Sequence, residues 1–593
     1  MLLDGLKTLE YRGYDSSGMF VAGLGTVKAV GAVDNLKRKL DQKTRVGGSF
    51  GIAHTRWATH GEPTESNAHP HTGCSEGLWL VHNGIIENYR ELKEVLLNEG
   101  HKFYSETDSE VLAHLIEKHY QKEKNLRKAV LESLREVCGT YGLAVVHEDE
   151  PGTLIGARMG SPIVLGIGDG ENYIASDSAP ILRHTKNIIY LEDGEMVVLS
   201  PTSHSIFTLD SVSIHRVPQV IAWDVEEAGK GGFDHYMLKE IMEGPEVMKN
   251  ALRGRLIPED GLAKLGGLRE IEERLRTTKR VIITGCGTAY YSGLIGEYMI
   301  EEYAGIPVEV EIASEFRYRK PVIDEGTVLL AMSQSGETID TLSALREAKM
   351  KGALTLGIVN VVGSTIARET DAGIYNHAGP EIGVASTKAF ISQLSVLALL
   401  TLFLGRQRGM SVSAGKEFAE ELSLLPQKMK KVLGSCGTIE KIARKYGEFE
   451  NFLYMGRKYS YPIAFEGALK LKEVSYIHAE GVGAGEMKHG PIAMIDEFFP
   501  TVAIAPHDSV FDKMVSNIEE IKARRGKVLA ITTEGNEKLQ SIADDVLYVP
   551  KTIEPLQPLL TVIPLQLFAY YVAVARGLNV DRPRNLAKSV TVE

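Results

Sequence analysis

The C-terminal half of the chain repeats one order of elements twice, and this repeat constrains the fold more than any other feature. An apolar strand, a polar loop and a helix follow one another, which is typical of a parallel sheet flanked by helices. The first pass predicts strands at residues 281–285, 308–312, 328–332 and 354–359. The second pass predicts strands at residues 452–456, 475–478, 502–505 and 528–531. We therefore predict two copies of one α/β domain, able to pack as an internal pseudo-dimer.

Only the first copy carries a hydroxyl-rich loop after its third strand. The loop at residues 333–338 reads SQSGET, whereas its counterpart at residues 506–509 reads PHDS. A strand that ends at Met332 and a helix that starts near Thr338 direct free backbone N–H groups and the positive helix end at an anion. One hydroxyl would be enough to cap the helix. Three hydroxyls and a glycine indicate a phosphate site, and the loop predicts one such site rather than two.

A second glycine-bearing turn, GCGT at residues 285–288, invites comparison with dinucleotide-binding proteins. The G-x-G-x-x-G pattern needs a glycine where Tyr290 stands, so this class is not supported. No Walker A sequence occurs. Thr288 at the start of a helix remains a possible donor to a sugar or a phosphate.

The length requires several domains, because single cores stop growing at roughly 250 to 300 residues and the chain has 593. Short strands with many turn signals indicate a strand-rich α+β domain between about residues 50 and 200. These strands are predicted at residues 51–54, 78–82, 143–146 and 187–191. A glycine cluster without apolar periodicity at residues 226–232 places the domain boundary there. Helical patterning resumes at Met237.

Charge and apolar patterning exclude several classes of partner. The net charge of -12 disfavours nucleic acid. The four cysteines are widely spaced, with no pair at metal-binding spacing, so we expect free thiols. The apolar stretch at residues 394–404 is too short to span a membrane, and the one at residues 559–575 is broken by Pro564 and Gln566. With no membrane helix and no export signal, the chain is expected to be cytoplasmic.

The chain resembles the glutamine--fructose-6-phosphate aminotransferase (isomerizing) family, also called glucosamine-6-phosphate synthases. The resemblance rests on residues 9–16, 54–61, 333–338, 381–390, 466–473 and 584–593. It implies an α+β glutaminase domain of the Ntn-hydrolase type, followed by two α/β SIS domains with parallel sheets flanked by helices. The implied boundaries are 1–222 for the glutaminase domain, 223–235 for a linker, 236–422 and 423–583 for the SIS domains, and 584–593 for an active-site tail.

The resemblance implies conversion of fructose 6-phosphate and glutamine to glucosamine 6-phosphate and glutamate, the first step towards UDP-N-acetylglucosamine. Neither a cofactor nor a metal is implied, because the sugar carbonyl and an enzyme lysine form the reactive imine. A homodimer is implied, since one histidine of the site comes from the neighbouring subunit. The alternative, from another class, is a sensor that keeps the SIS fold, binds the sugar phosphate and does no chemistry.

The sugar site is predicted from both copies. Spacing alone makes Glu466, Lys470 and Glu473 a row on one helix face, and such rows are usually solvated ion pairs. The resemblance implies instead that Glu473 moves a proton between C1 and C2 of the open-chain sugar, with Lys470 close by. It implies that His489 helps to open the ring and that Lys588 forms the imine at C2. The implied sugar-phosphate ligands are Thr288, Ser333, Gln334, Ser335, Thr338, Val384 and Ser386.

The implied glutamine-binding residues are Arg56, Trp57, Thr59, His60, Asn83, Gly84 and Asp108. Arg56 would grip the α-carboxylate with its planar fork, and Asp108 would pair with the α-ammonium. Asn83 and Gly84 resemble an oxyanion hole. His69 and His71 could suggest a metal, but they lie inside glutaminase matches that need no ion, so we predict none.

The nucleophile of the family is absent from this chain. Relatives begin with cysteine after removal of methionine, whereas this chain begins with Met1, Leu2 and Leu3. Neither Cys74 nor Cys138 can replace that cysteine, because neither has an adjacent free α-amine to act as the base. Either the natural chain starts upstream, which we favour because the other glutamine-binding residues are intact, or the glutaminase is inactive. A polypeptide of only these residues is expected to use ammonia or to isomerise the sugar.

Overall fold

The computed structural model describes the chain except for residues 11–14, 44–47, 58–60, 76, 221–228 and 591–593. The chain divides into two compact units. The N-terminal unit comprises Met1–Glu227 and the last segment, Ala587–Glu593. The C-terminal unit comprises Ala228–Leu586.

Antiparallel sheets dominate the N-terminal unit. Its strands are β1 (Ser16–Val21), β2 (Gly25–Val30), β3 (Gly51–Arg56), β4 (Leu78–Ile86), β5 (Gly139–His147), β6 (Leu154–Met159), β7 (Val164–Ile167), β8 (Asn172–Ala175), β9 (Asn187–Tyr190), β10 (Glu195–Leu199), β11 (His204–Thr208), β12 (Ser213–Ile214) and β13 (Gln219–Val220). Its helices are α1 (Leu2–Leu9), α2 (Val33–Asp41), α3 (Tyr89–Asn98), α4 (Asp108–Glu123) and α5 (Leu126–Glu136). The sheets have the orders β2-β1-β3, β12-β11-β10-β6-β5-β4 and β13-β9-β7-β8. The predicted strand-rich α+β fold is confirmed.

Helix α4 has a well-defined start. Thr107 caps it, because the Thr107 hydroxyl accepts the backbone N–H of Glu110. Leu112 and Ile116 lie one turn apart and are buried in one core with Leu80 of β4 and Leu143 of β5. The cap and this packing hold Asp108, the first residue of the helix, in a fixed place.

Parallel sheets dominate the C-terminal unit. Its strands are β14 (Leu256–Ile257), β15 (Leu262–Ala263), β16 (Arg280–Gly285), β17 (Val308–Ile312), β18 (Thr327–Ser333), β19 (Leu354–Val359), β20 (Ala372–Tyr375), β21 (Asn451–Gly456), β22 (His478–Gly483), β23 (Thr501–Ile504), β24 (Val528–Thr533) and β25 (Asp545–Val549). Its helices are α6 (Tyr236–Met242), α7 (Gly244–Leu252), α8 (Glu272–Arg276), α9 (Thr288–Ala304), α10 (Ala313–Tyr318), α11 (Ile339–Met350), α12 (Thr365–Glu369), α13 (Lys388–Arg408), α14 (Val412–Leu433), α15 (Cys436–Tyr446), α16 (Ser460–Ser475), α17 (Phe511–Lys522), α18 (Glu537–Gln540) and α19 (Pro558–Ala575).

The two large sheets of this unit have the same topology. Their orders are β17-β16-β18-β19-β20 and β22-β21-β23-β24-β25, and all their pairs are parallel. The predicted duplication is therefore confirmed. In the first sheet the chain steps from β16 to β17 on one side and then to β18 on the other. The carboxyl ends of β16 and β18 thus border a switch point, where ligands of open parallel sheets bind.

The strand predicted at residues 475–478 is wrong. Helix α16 continues to Ser475, and Tyr476 then adopts a left-handed backbone, with φ of 60°, that ends the helix. Strand β22 begins only at His478. A short apolar run such as VSYI fits the end of a buried helix as well as a strand, so its pattern does not distinguish them.

Helices α13 and α19 lie in the core of the C-terminal unit. By length and composition α13 and the segment Glu554–Ala575 could each cross a membrane, but 94% and 83% of their most apolar windows are buried inside the protein. Residues 394–404 were predicted to be too short to span a membrane, and this reason is wrong, because they belong to α13, which has 21 residues. Burial explains its composition instead. Leu397 of α13 and Leu560 of α19 belong to one core with residues of both sheets.

The predicted domain boundaries fall near this shared core. The division between residues 422 and 423 lies within helix α14, which packs against α7 and against α19. Of the linker predicted at residues 223–235, residues 223–228 lie outside the described residues. Helix α6 begins one residue before the predicted helical start at Met237.

Candidate functional site

The hydroxyl-rich loop follows β18 at the switch point of the first sheet. The Ser333 hydroxyl accepts the backbone N–H of Gly336 at 3.0 Å and lies 2.9 Å from the Thr338 hydroxyl. The Ser335 hydroxyl accepts the backbone N–H of Glu337 at 3.1 Å. Thr338 is the N-cap residue of α11, but its side chain makes no capping hydrogen bond. Capping therefore does not account for its hydroxyl, and the N-terminus of α11 is available to an anion.

Gly336 is required by the backbone of this loop. Its φ is +66°, and a Cβ atom there would lie 2.0 Å from the hydroxyl oxygen of Ser364. Its carbonyl accepts the N–H of Ile366 at 3.0 Å. No larger residue fits this conformation and spacing.

The acidic residue of the loop is held by the neighbouring helix. The Glu337 carboxylate accepts the backbone N–H of Thr365 at 2.8 Å and the Thr365 hydroxyl at 2.7 Å. Glu337 thus binds the start of α12, and its charge is offset by those donors.

Carboxyl groups stand at the corresponding place in the second sheet. Asp508 accepts the N–H of Val510 at 3.0 Å, and Ser509 donates to Glu554 at 2.8 Å. Burial raises the pKa of Asp508 to about 6. Acids in this position repel an anion, which agrees with the prediction that only the first of the two α/β copies has a phosphate site.

A buried charged cluster joins the two copies at the same switch point. Thr288 begins α9 of the first copy, and Lys470 lies on α16 of the second. The Lys470 ammonium donates to the Thr288 hydroxyl at 3.0 Å. It lies 2.6 Å from a carboxylate oxygen of Glu473 and 3.6 Å from one of Glu466. The exposed fractions of the side chains are 1% for Lys470, 0% for Glu466 and 20% for Glu473, so a solvated ion-pair row is excluded.

The protonation of this cluster follows from its burial. Burial raises the pKa of Glu466 to about 7, although the neighbouring ammonium of Lys470 opposes the rise. Burial also disfavours the charge of Lys470, but Glu466 and Glu473 outweigh it and raise the pKa of Lys470. Lys470 is therefore a permanent cation at neutral pH. Of these three side chains, that of Glu473 is the one that solvent can reach.

Val384 and Ser386 lie on the loop that leads into α13. The carboxylate of Glu381 is 4% exposed and organises this loop. It accepts the Ser386 hydroxyl at 3.0 Å and the backbone N–H groups of Thr387 and Ala389 at 2.9 and 3.0 Å. The Val384 N–H donates to the Asp581 carbonyl at 3.1 Å.

His489 and Lys588 lie away from this cluster in the chain. His489 ends a short 3-10 helix, Ala484–His489, and its side chain is exposed. Lys588 is half-buried and belongs to the Ala587–Glu593 segment of the N-terminal unit. The roles implied for both residues stay predictions.

The N-terminal unit encloses a cavity of about 840 Å³. Of the predicted glutamine-binding residues, Arg56, Trp57, Asn83, Gly84 and Asp108 line it. Thr59 and His60 lie outside the described residues. Ser589 and Val590 of the last segment also line the cavity. The structure thus brings together five of the seven residues predicted for this site.

Arg56 and Asp108 supply opposite charges to the cavity. Arg56, at the end of β3, is 4% exposed and donates to the carbonyls of Gly61 and Glu62 at 3.1 and 3.4 Å. Burial lowers the pKa of Arg56, and Asp15 and Asp108 oppose this. Asp108 accepts the backbone N–H of Ile86 at 2.9 Å. One cation and one anion suit the two ends of an amino acid.

His54, His69 and Gly84 also line the cavity, and His71 lies behind the wall, where its ring stacks edge-on against His69. Burial lowers the pKa of His54 to about 3 and lowers those of His69 and His71 well below their usual range. His71 contacts the Thr107 hydroxyl at 3.1 Å, and His69 accepts the N–H of His82 at 3.3 Å. Gly84 has φ of +146°, and a Cβ there would lie 2.1 Å from the Thr140 carbonyl oxygen.

Two acids at the predicted sugar site were not among the functional candidates named from the sequence. Glu466 controls the charge of the Lys470 cluster, and Glu381 holds the Ser386 loop. Both stand among small or apolar neighbours in the sequence, at GPEIG and AFEGA. An acid within such an apolar segment is expected to be buried and therefore to need hydrogen-bond or charge partners. This setting was the sequence feature that could have indicated both residues.

Comparison with known proteins defines the class of the chain. Residues 54–183 match the glutamine amidotransferase domain family, and residues 274–403 and 449–576 match the SIS domain family. The chain is thus a glutamine amidotransferase domain followed by two SIS domains. The gap between the SIS matches contains the boundary predicted at residues 422 and 423.

Full-length relatives define the family. The glutamine--fructose-6-phosphate aminotransferase [isomerizing] of Chlorobaculum tepidum is 52% identical over 599 residues, covering 100% of this chain and 98% of that one. The protein of the same name from Thermus thermophilus is 50% identical over 597 residues, with the same coverage. A solved C-terminal domain of glucosamine-fructose-6-phosphate aminotransferase from Francisella tularensis is 39% identical, with a TM-score of 0.57, over 60% of this chain and 99% of that one. The chain belongs to the glutamine--fructose-6-phosphate aminotransferase (isomerizing) family.

Proposed function

We propose that the chain converts D-fructose 6-phosphate and L-glutamine to D-glucosamine 6-phosphate and L-glutamate. Family membership supports this activity. The observation that carries it is the enclosed contact of Lys470 with Thr288 and Glu473 at the switch point where the hydroxyl-rich loop also lies. A sensor of sugar phosphates needs only the loop and has no use for a buried, charged cluster.

The phosphate binds at the start of α11 in this proposal. Backbone N–H groups and the helix dipole attract the dianion, and the loop hydroxyls donate to its oxygens. The ligands proposed for the sugar phosphate are Thr288, Ser333, Gln334, Ser335, Thr338, Val384 and Ser386. The chain carries a net charge of -12, so these local donors must supply the attraction.

Glu473 is the proposed proton carrier. In the open-chain sugar, the amine of Lys588 attacks the C2 carbonyl, and loss of water gives an imine. Ammonia displaces Lys588 from C2. Glu473 then takes a proton from C1 and returns it to C2, and the hydroxyl proton at C1 is transferred to the nitrogen, which leaves an aldehyde at C1 and an amine at C2. Lys470 stabilises the carboxylate of Glu473 before it takes the proton and again after it has returned it.

His489 is proposed to open the sugar ring from the neighbouring subunit of a homodimer. Its exposure in the single chain supports this, because a residue that serves another subunit must lie at the surface. Histidine side chains in general can both take and give a proton near neutral pH.

The N-terminal unit is proposed to bind glutamine in its cavity. Arg56 would bind the α-carboxylate and Asp108 the α-ammonium, with Asn83 and Gly84 facing the amide oxygen. Ammonia from this unit, or from solution, would supply the amine that displaces Lys588.

Product analysis tests the proposal. Purified protein is incubated with fructose 6-phosphate and either ammonium or glutamine, and glucosamine 6-phosphate is measured by chromatography. The variant Glu473→Gln should lose product formation, whereas Glu480→Gln, an exposed acid on β22, should keep it. Binding of fructose 6-phosphate without amination or isomerisation under any of these conditions would refute the enzyme and support a sensor.

A further inference from the structure

Four metal-binding side chains meet in the N-terminal unit, outside the cavity proposed for glutamine. They are Cys74 on the loop after His71, His101 on the loop before α4, and His114 and Glu117 on α4 itself. Their ligand atoms all lie within 4.8 Å of one another. His114 and Glu117 are buried, His101 is half-buried and Cys74 is exposed, so an ion could enter from the Cys74 side.

The distances are those of a tetrahedron around a metal. The Cys74 sulfur lies 3.6 Å from Nδ1 of His101 and 3.6 Å from Nδ1 of His114. The two Nδ1 atoms are 3.1 Å apart, and Glu117 Oε2 is 3.7 and 3.8 Å from them. Zinc bonds of about 2.3 Å to sulfur and 2.0 to 2.1 Å to nitrogen place tetrahedral ligands about 3.3 to 3.6 Å apart. The sulfur–nitrogen distances fall at that value, the nitrogen–nitrogen and nitrogen–oxygen distances lie within about 0.5 Å of it, and the sulfur–oxygen distance is at most 4.8 Å.

The surrounding groups orient these ligands. Glu117 accepts the backbone N–H groups of Cys74 and Ser75, each at 2.7 Å. The backbone N–H of Lys102 points at the Cys74 sulfur at 3.4 Å, as amides do towards thiolates. Nε2 of His114 faces a carboxylate oxygen of Glu110 at 3.7 Å. This distance is too long for a hydrogen bond, but the carboxylate is near enough to attract an N–H at Nε2, which would leave Nδ1 as the metal-binding nitrogen.

We propose that Cys74, His101, His114 and Glu117 form a structural zinc site. Sulfur, imidazole and carboxylate donors in a tetrahedron suit Zn²⁺ better than Mg²⁺ or Ca²⁺, which prefer oxygen ligands. With four protein ligands the site is closed, so its role is structural. It joins the loop of Cys74 and the loop of His101 to α4, the helix that begins with Asp108. The proposal replaces the sequence-based prediction that the chain binds no metal.

Metal analysis of tag-free protein tests the site. We expect about one zinc per chain in the purified protein and in Cys138→Ser, a control at the other exposed cysteine of this unit. Cys74→Ser should hold less than about a tenth of that amount, with an unchanged circular dichroism spectrum. Exchange for Co²⁺ should give near-ultraviolet thiolate-to-cobalt absorption in the wild type and in Cys138→Ser, and none in Cys74→Ser.

Two results would overturn the proposal. One is a zinc content that is equal in wild type and Cys74→Ser, which would place any metal elsewhere. The other is a metal-free wild type that gains no thiolate absorption when Co²⁺ is added, which would leave a hydrogen-bonded cluster only. Removal of zinc by a chelator should also lower the unfolding temperature of this unit by about 5 °C or more, and fluorescence of Trp57 and Trp79 reports it.

Discussion

Substitution of Glu466 by glutamine should change the pH dependence of stability. Glu466 is fully buried, and burial raises its pKa from 4.5 to about 7. The folded protein therefore holds this proton more tightly than the unfolded chain does, so the stability that it contributes is greatest below the unfolded pKa. That stability is lost as the pH rises through the folded pKa. Glutamine keeps the shape of the side chain and does not titrate.

The size of the effect follows from the shift. Each pKa unit corresponds to about 1.4 kcal/mol, so the wild type should lose about 3 kcal/mol from Glu466 between about pH 4.5 and about pH 8. Glu466→Gln should lack this loss. Its free energy of unfolding relative to wild type should therefore rise by about 3 kcal/mol over the same range, whatever its value at low pH.

Equilibrium unfolding in urea, followed by circular dichroism over this pH range, measures the difference. Glu480→Gln serves as the control, because its exposed side chain leaves the pH dependence as in wild type. Parallel curves for wild type and Glu466→Gln would show that Glu466 is ionised throughout, and would refute its raised pKa.

Three further substitutions test the sites. Lys470→Met leaves two carboxyl groups without their buried cation, so it should lower the free energy of unfolding by about 3 to 5 kcal/mol and abolish amination. The control is Lys472→Met, at an exposed lysine of the same helix. It should change the free energy of unfolding in urea by less than about 0.5 kcal/mol. Gly336→Ala places a Cβ atom 2.0 Å from the Ser364 hydroxyl oxygen, on a backbone with positive φ. Calorimetry should therefore show at least a roughly tenfold loss of affinity for fructose 6-phosphate. Unchanged affinity would exclude this loop as the phosphate site. Asp108→Asn removes the charge for the α-ammonium and should weaken glutamine binding about tenfold or more in calorimetry, with fructose 6-phosphate binding as the internal control.

Local patterns predicted most of the fold. The strand runs at residues 308–312 and 354–359 match β17 and β19 residue for residue. Strand β19 is a short buried run, as central parallel strands are, whereas β17 lies at the sheet edge and alternates apolar and acidic residues. The failure at residues 475–478 arose where a buried helix runs into a buried strand. There the helix end depends on the left-handed backbone of Tyr476, which no apolar pattern encodes.

The sites show what sequence spacing can and cannot reveal. The hydroxyl-rich loop is contiguous, so its six residues indicated an anion site directly. The spacing of Glu466, Lys470 and Glu473 is the same in a solvated row and in a buried cluster, and only packing between the two copies decides which forms. Cys74 and His114 are 40 residues apart, so tertiary structure alone brings them together.

The unequal loops of the two copies have an evolutionary consequence. An ancestor in which the domain had just been duplicated would have two equivalent pockets, each under selection to bind its ligand. Here the second copy has one acid, Asp508, at residues 506–509, and in the proposed function it supplies Lys470 and Glu473 to the pocket of the first copy. If the proposed phosphate site is correct, the loop of the second copy no longer has to bind a ligand and can vary, whereas the loop at residues 333–338 cannot. Among relatives, sequence variation should therefore concentrate in the former, which also makes residues 506–509 the natural place to graft a label or a regulatory segment.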